Sequence, residues 1–199
     1  MVDITAKEVK ELRQATGAGV LDCKKALQET DGDMQKATEV LRAQGLADAS
    51  KRAGRATEQG LVDSYIHLGG KIGVLLEINC ETDFVARTDE FQELAHNICM
   101  QIAAADPDYI DREEIPEEVL EQEKRILRQQ ADGEGKPPEI VDRIIEGRLQ
   151  KFYSQVCLVD QAYIRDADRT IDELLKEAIA SVGENIQVRR FARFAVGQD

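Results

Sequence analysis

The side chains that most often carry covalent chemistry are few and scattered in this chain. A hydrolase or transferase needs a nucleophile beside a general base, and the two histidines stand in no recognisable arrangement with a cysteine. The cysteines form no Cys-x-x-Cys pair and no zinc-like spacing; they are Cys23, Cys80, Cys99 and Cys157. We therefore expect reduced, ordinarily packed thiols, no metal, no cofactor and no covalent catalysis.

A second kind of chemistry is suggested by Thr82-Asp83-Phe84-Val85, where a large apolar ring and a carboxylate stand side by side. The run lies between a predicted strand and a predicted helix, so a rigid element would hold it at the surface. There Phe84 would be a wedge that gains free energy only when a partner buries it. The alternative is an ordinary core phenylalanine, with Thr82 as a helix cap.

The first 45 residues predict three short helices. Thr5 and Glu8 form a capping box, and the glycines at 17–19 end the first helix. The turn at 17–20 lacks a phosphate-loop motif, so we expect no bound nucleotide. The third helix should follow the turn at 30–33 and end at Gly45. The inner face of the second helix is predicted to be Val20, Leu21, Cys23, Ala26 and Leu27.

The rest of the chain mixes strands and helices. Residues 46–59 read as a polar helix or linker, and 61–67 and 72–80 as a hairpin around a glycine turn. Further helices are predicted at 89–105, from 116, at 138–156 and after the Thr170–Glu173 capping box. The helix from 116 should have Val119, Leu120, Ile126 and Leu127 inside. A loop is predicted at 132–138, and strands at 157–164 and 188–196. We expect an α+β fold with a small antiparallel sheet, divided into 1–45, 46–59 and 60–199.

The charge balance narrows the class of partner. The net charge is −13, and its acidity lies after residue 56, because residues 1–56 hold ten basic and nine acidic side chains. Nucleic-acid binding draws its affinity from Lys and Arg on phosphates, so a protein partner with a basic face is favoured. Neither a signal peptide nor a membrane span is apparent, which predicts a cytoplasmic protein.

Two segments, residues 12–27 and 77–87, closely resemble the signature segments of the elongation factor Ts family and occur in the family's order. The stretches at 146–152 and 193–197 resemble its C-terminal region. The resemblance implies an N-terminal module of the ubiquitin-associated (UBA) type and a core that grips elongation factor Tu. It also implies a reaction without covalent chemistry, in which magnesium is dislodged from Tu carrying GDP, GDP leaves and GTP enters.

The resemblance also assigns residues. The segment Thr82, Asp83, Phe84 and Val85 would be the working tip that dislodges the magnesium ion. Secondary contacts with Tu would come from Val20, Leu21, Lys24 and His67; the alternative for the first three is simple packing or solvent exposure. His96 lies on a predicted helix face and is expected to be structural.

One departure from the family concerns the core. Longer members carry two related halves, each with a hairpin, whereas this chain holds one hairpin at 61–80. Residues 64–67 look like the second copy and residues 82–85 belong to the first. Short members complete the core by pairing, which predicts a two-fold homodimer. A competing interpretation is an adaptor that binds ubiquitin-like or membrane-protein partners through residues 1–45, but it leaves 82–85 unexplained.

Overall fold

A computed structural model of the chain describes residues 4–132 and 138–198. Eight α-helices and five β-strands lie in those residues, which confirms the predicted α+β class. The loop predicted at 132–138 falls, except for its end residues, outside them. The chain divides into two compact units. The first contains the residues up to Val62, Glu77–Leu94 and Glu173–Arg189. The second contains Asp63–Leu76, Ala95–Asp172 and the residues from Arg190. No helix in the described ranges is long and apolar enough to cross a bilayer.

Three helices open the first unit: α1 (Ala6–Thr16), α2 (Val20–Glu29) and α3 (Met34–Arg52). The capping box is confirmed, since Glu8 N donates to Thr5 Oγ1 while Thr5 N donates to the Glu8 carboxylate. Gly17 ends α1 with a left-handed φ of 69°, which glycine adopts without strain. The helices enclose an apolar core of Val9, Leu12, Cys23, Ala26, Leu27, Ala37 and Leu41.

Two predictions about these helices are wrong. Val20 and Leu21 are 52% and 72% exposed rather than internal. The buried stripe is Cys23, Ala26 and Leu27; Leu21 projects from the opposite side of the helix and Val20 is its first residue.

Helix α3 also continues seven residues past Gly45, to Arg52. A Cβ at Gly45 would stand 3.1 Å from the Ala180 Cβ, so this glycine permits close packing rather than ending the helix.

The predicted hairpin is confirmed as β1 (Gln59–Ile66) and β2 (Ile72–Cys80). The C-terminal strand is also confirmed, as β5 (Ile186–Ala195), and the sheet order is β1-β2-β5. The one-turn helix α4 (Asp83–Ala86) follows β2, and α5 (Asp89–Ala105) follows α4. The order places β2 at the centre of the sheet, where its hydrogen bonds to both neighbours fix the strand that leads into α4.

Residues 117–172 contain α6 (Glu117–Asp132), α7 (Pro138–Val156), and the short antiparallel strands β3 (Ala162–Tyr163) and β4 (Asp166–Thr170). Helix α8 (Ile171–Val182) begins directly after Thr170, as predicted. Leu127 packs inside α6–α7, but Val119 and Ile126 are exposed.

The strand predicted at 157–164 is wrong. Its first part is a 3-10 helix at Leu158–Asp160, held by hydrogen bonds from Leu158 N to Tyr109 O and from Val159 N to Ile110 O. Those partners lie about 50 residues away along the chain. Extended pairing within the predicted strand is limited to the isolated bridge of Cys157 with Tyr109 and to the two residues of β3.

All four cysteines are free and buried. Burial raises the pKa of the Cys99 thiol to about 12, and the nearby Asp63 carboxylate adds to the rise. Burial likewise raises the pKa of the Cys157 thiol to about 11, with a contribution from Asp160. At pH 9, therefore, only roughly one Cys99 thiol in a thousand and one Cys157 thiol in a hundred is the reactive thiolate.

We expect these two cysteines to resist alkylation by iodoacetamide at pH 9 in the folded protein and to react readily in urea. An unperturbed thiol, whose pKa is about 8.5, is mostly ionised at that pH. Peptide mass spectrometry after timed labelling measures each site. Rapid labelling of Cys99 in the folded protein would contradict the prediction.

Candidate partner-binding site

The segment 82–85 forms a single turn of helix immediately after the central strand of the sheet. Thr82 has extended backbone angles, and its Oγ1 accepts a hydrogen bond from Val85 N at 3.4 Å. Thr82 is therefore a helix cap, as the alternative interpretation held, but the helix it caps is the short α4. The sequence pattern predicts no helix between the strand that ends near Cys80 and the helix that begins near Asp89, so α4 is an addition.

Phe84 is the most exposed aromatic side chain near this turn, at 78% of its full accessible area. Ala86 is buried and Val85 is half-buried, so α4 is anchored on one side and presents Phe84 on the other. The interpretation of Phe84 as a core residue is wrong. A phenylalanine left in water forgoes about 1.5–3 kcal/mol that a protein partner would recover by covering it.

Asp83 lies beside Phe84 and pairs with Arg87 one turn further on, at 2.7 Å between Oδ2 and the guanidinium. The Arg87 side chain is 76% exposed and the Asp83 side chain 46%, and ion pairs with this much solvent access contribute at most about 1 kcal/mol. The Asp83 carboxylate is therefore available to a cation or to a hydrogen-bond donor that approaches with a partner.

The turn is held by residues that sequence analysis did not single out. Thr82 N donates to Glu184 Oε2 at 3.0 Å, and Thr82 Oγ1 donates to Glu184 Oε1 at 2.7 Å. Next to it, Asn185 N donates to Glu81 Oε1 at 2.7 Å. No local sequence pattern predicts these contacts, because the paired residues are more than 100 positions apart.

The three candidate contacts on α2 share one exposed surface. Val20 and Lys24 are four residues apart and Leu21 and Lys24 three, which places Lys24 next to both on the helix. All three side chains are exposed. An apolar pair beside a lysine can contact a partially apolar, acidic surface of another protein.

His67 lies in the second unit, at the end of β1. Its Nδ1 stands 3.0 Å from the Tyr65 hydroxyl, and the residue is exposed. His96 is on α5 with its Nδ1 3.2 Å from Asp63 Oδ2, and its ring meets the Tyr65 ring edge-on. His96 thus ties α5 to β1, whereas His67 stays accessible.

Comparison with known proteins finds relatives that match nearly the whole chain. The family profile described as Elongation factor TS matches residues 4–198. The chain is 60% identical over 195 residues to Elongation factor Ts of Thermoanaerobacter sp. (strain X514), covering 98% of this chain and 96% of that protein. It is 60% identical to the protein of the same name from Caldanaerobacter subterraneus subsp. tengcongensis, covering 98% of each. With that of Geobacter sulfurreducens it shares 57% over 197 residues, 99% of this chain and 91% of the relative. The chain therefore belongs to the elongation factor Ts family.

Proposed function

We propose that this chain is a translation elongation factor that acts as the guanine-nucleotide exchange factor of elongation factor Tu. It binds Tu carrying GDP, displaces Mg²⁺ and lets GDP leave so that GTP can enter. The observation that carries the proposal is Phe84, an exposed aromatic ring on an anchored one-turn helix. Family membership supplies the identity of the partner.

The proposed mechanism is antagonistic binding without covalent chemistry. Phe84 enters an apolar pocket of Tu, and the free energy of its burial displaces the elements that hold magnesium. Asp83 brings a carboxylate near the ion and the phosphates, where it competes for the cation or repels the phosphates. If this chain weakens GDP binding by some factor, GDP weakens the binding of this chain by the same factor.

We propose further contacts for residues 1–45 and for the core. Residues 1–45 act as a UBA-like module that touches Tu through Val20, Leu21 and Lys24, and residues 46–59 connect it to the core at 60–199. His67 adds a contact from the core. The net charge of −13 favours a protein partner over direct contact with nucleic acid, and the setting is the cytoplasm.

The experiment is release of a fluorescent GDP analogue from Tu after mixing with excess unlabelled GDP. The wild-type chain should accelerate release many-fold at catalytic concentrations. An adaptor acting through residues 1–45 would bind its partner and leave the release rate unchanged. Absence of acceleration by the wild-type chain would disprove the proposal.

We also propose that two copies associate through the exposed face of the sheet. In the second unit Ile66, Leu75 and Phe194 are 67%, 50% and 68% exposed, one on each strand. Ile66 lies over Gly73, because a Cβ added to Gly73 would stand 3.0 Å from Ile66 Cδ1. In the described residues the three-stranded sheet contains one hairpin, β1–β2, and we propose that a second copy is the occupant that supplies another hairpin of this kind.

Light scattering at micromolar concentration should give twice the 22.2 kDa of one chain. Phe194→Asp should give the monomer mass, because a charge cannot be buried in an apolar interface without a partner. Ile164→Asp, an equally drastic change at an exposed residue outside the sheet, is the control and should stay dimeric. A wild-type mass near 22.2 kDa would refute the homodimer.

A further inference from the structure

We infer that Glu184 is a positioning residue of the exchange site, which fixes Thr82 and thereby the direction in which α4 presents Phe84. The inference rests on the proposed exchange function. It assigns a role to a residue of the α8–β5 turn that is 102 positions from Thr82 along the chain.

The first argument is that α4 cannot order itself. It has four residues, and an isolated helix of one turn is unstable in water. Its internal cap is weak, because the distance from Val85 N to Thr82 Oγ1 is 3.4 Å. The two bonds to Glu184 are shorter, at 3.0 and 2.7 Å, and both end on a carboxylate, which makes them stronger than the internal cap.

The second argument is that Glu184 is itself held in place. Gly183 precedes it with a left-handed φ of 77°, which turns the chain sharply at the end of α8. Asn185 follows and is buried; its Nδ2 donates to Ala53 O at 3.2 Å and to Arg55 O at 2.8 Å. These contacts fix the backbone next to Glu184, so its side chain starts from a defined position and can orient Thr82.

The consequence concerns the cost of docking. A tip that is already ordered loses less conformational entropy when Phe84 enters a partner pocket. Without Glu184 the turn would sample other orientations, and the wedge would be correctly placed in a fraction of the molecules. We expect Glu184→Ala to lower the second-order rate constant for stimulated GDP release about tenfold.

Two measurements test the inference, each on the full chain. GDP release from Tu is followed against factor concentration for the wild type, E184A, E184Q, F84A and the double variant E184A/F84A. Hydrogen–deuterium exchange of the amides at 82–86 is followed in the free protein. Glu177→Ala is the matched control, because Glu177 is another half-buried glutamate of the α8 region and pairs with Arg42 instead.

We expect E184A to lose amide protection at 82–86 and about tenfold in release rate, with E177A unchanged in both. E184Q should recover part of the amide protection and part of the release rate. Its side-chain amide oxygen can accept a hydrogen bond from Thr82 N, and its amide nitrogen can donate one to the Thr82 hydroxyl oxygen. In the F84A background E184A should cause no further loss, because Glu184 acts only through the placement of Phe84. A melting curve identifies a variant that unfolds. T82V then takes the place of E184A: it removes the hydroxyl's bond to Glu184 together with the weak cap from Val85 N, and keeps the bond from Thr82 N to Glu184.

Three results would overturn the inference. One is unchanged protection in E184A, and a second is lost protection with unchanged release; either leaves the exchange function standing. The third is an equal loss in the wild-type and F84A backgrounds, which would mean that Glu184 acts by another route. Failure of the wild-type chain to accelerate release would instead remove the proposed function and this role with it, even if the amide protection depended on Glu184.

Discussion

Phe84→Ala should remove most of the acceleration of GDP release while leaving the fold intact. The ring is 78% exposed, so the free protein gains little from it, and exposed substitutions usually change the free energy of unfolding by less than about 0.5 kcal/mol. On the partner the ring would be covered, and losing its burial costs about 1.5–3 kcal/mol. If that free energy is spent on displacing the magnesium site, the rate constant falls by roughly ten- to a hundredfold.

The measurement is the release rate of fluorescent GDP as a function of factor concentration, with the melting temperature taken in parallel. Ile164→Ala is the control, since Ile164 is another exposed apolar residue, 47% accessible, in the turn between β3 and β4. Phe84→Leu should fall between Phe84→Ala and the wild type, because it keeps an apolar side chain of smaller area. Wild-type acceleration by the alanine variant would show that Phe84 is not the wedge.

The candidate tip can be proposed from the sequence because its residues are contiguous. Asp83 and Phe84 stand side by side in a segment that also matches the family signature, and the strand before them has a clear apolar pattern. What holds the tip could not be found in the same way. The bonds from Thr82 to Glu184 and from Asn185 to Glu81 depend on how α8 and β5 return to the end of β2, which local patterns do not encode.

The ends of helices show the same limit of prediction from local sequence. The Thr5–Glu8 box and Gly17 act within one helical turn, so local sequence decides where α1 begins and ends. Gly45 depends on a distant neighbour. A glycine inside a helix costs only about 1 kcal/mol relative to alanine, and close packing against Ala180 outweighs that cost.

Strand predictions failed where pairing partners were short or polar. Strand β4 is Asp166–Thr170, a run of charged and small residues that lacks any apolar alternation. It pairs with β3 through Ala162 opposite Thr170 and Tyr163 opposite Asp166. Neither of these short strands would be stable alone, so each forms only because it pairs with the other.

Gly60 shows how closely β1 must approach the strand that leads to the tip. Its φ is 151°, a conformation that residues with a side chain rarely adopt. A Cβ at this position would stand 2.2 Å from Ile78 O and 2.7 Å from Asn79 Cα, which are backbone atoms of β2. Backbone cannot move aside as a flexible side chain can, so a methyl group here forces the two strands apart.

Gly60→Ala should therefore destabilise the protein by roughly 3 kcal/mol or more, from backbone strain and overpacking together. For a chain of this size that lowers the melting temperature by roughly 6–12 °C. Ile78 and Asn79 directly precede Cys80 and the tip, so stimulated GDP release should also fall in the protein that remains folded.

Calorimetry and the release assay at a temperature below the transition measure the two effects separately. Gly147→Ala is the matched control: Gly147 lies within α7, and a Cβ there meets nothing within 4 Å. That variant should be as stable as the wild type or slightly more, because alanine favours helix over glycine by up to about 1 kcal/mol. Equal stability of the two alanine variants would mean that β1 and β2 do not approach as closely at Gly60 as described. The strand pairing that positions the tip would then have to be sought elsewhere along the hairpin.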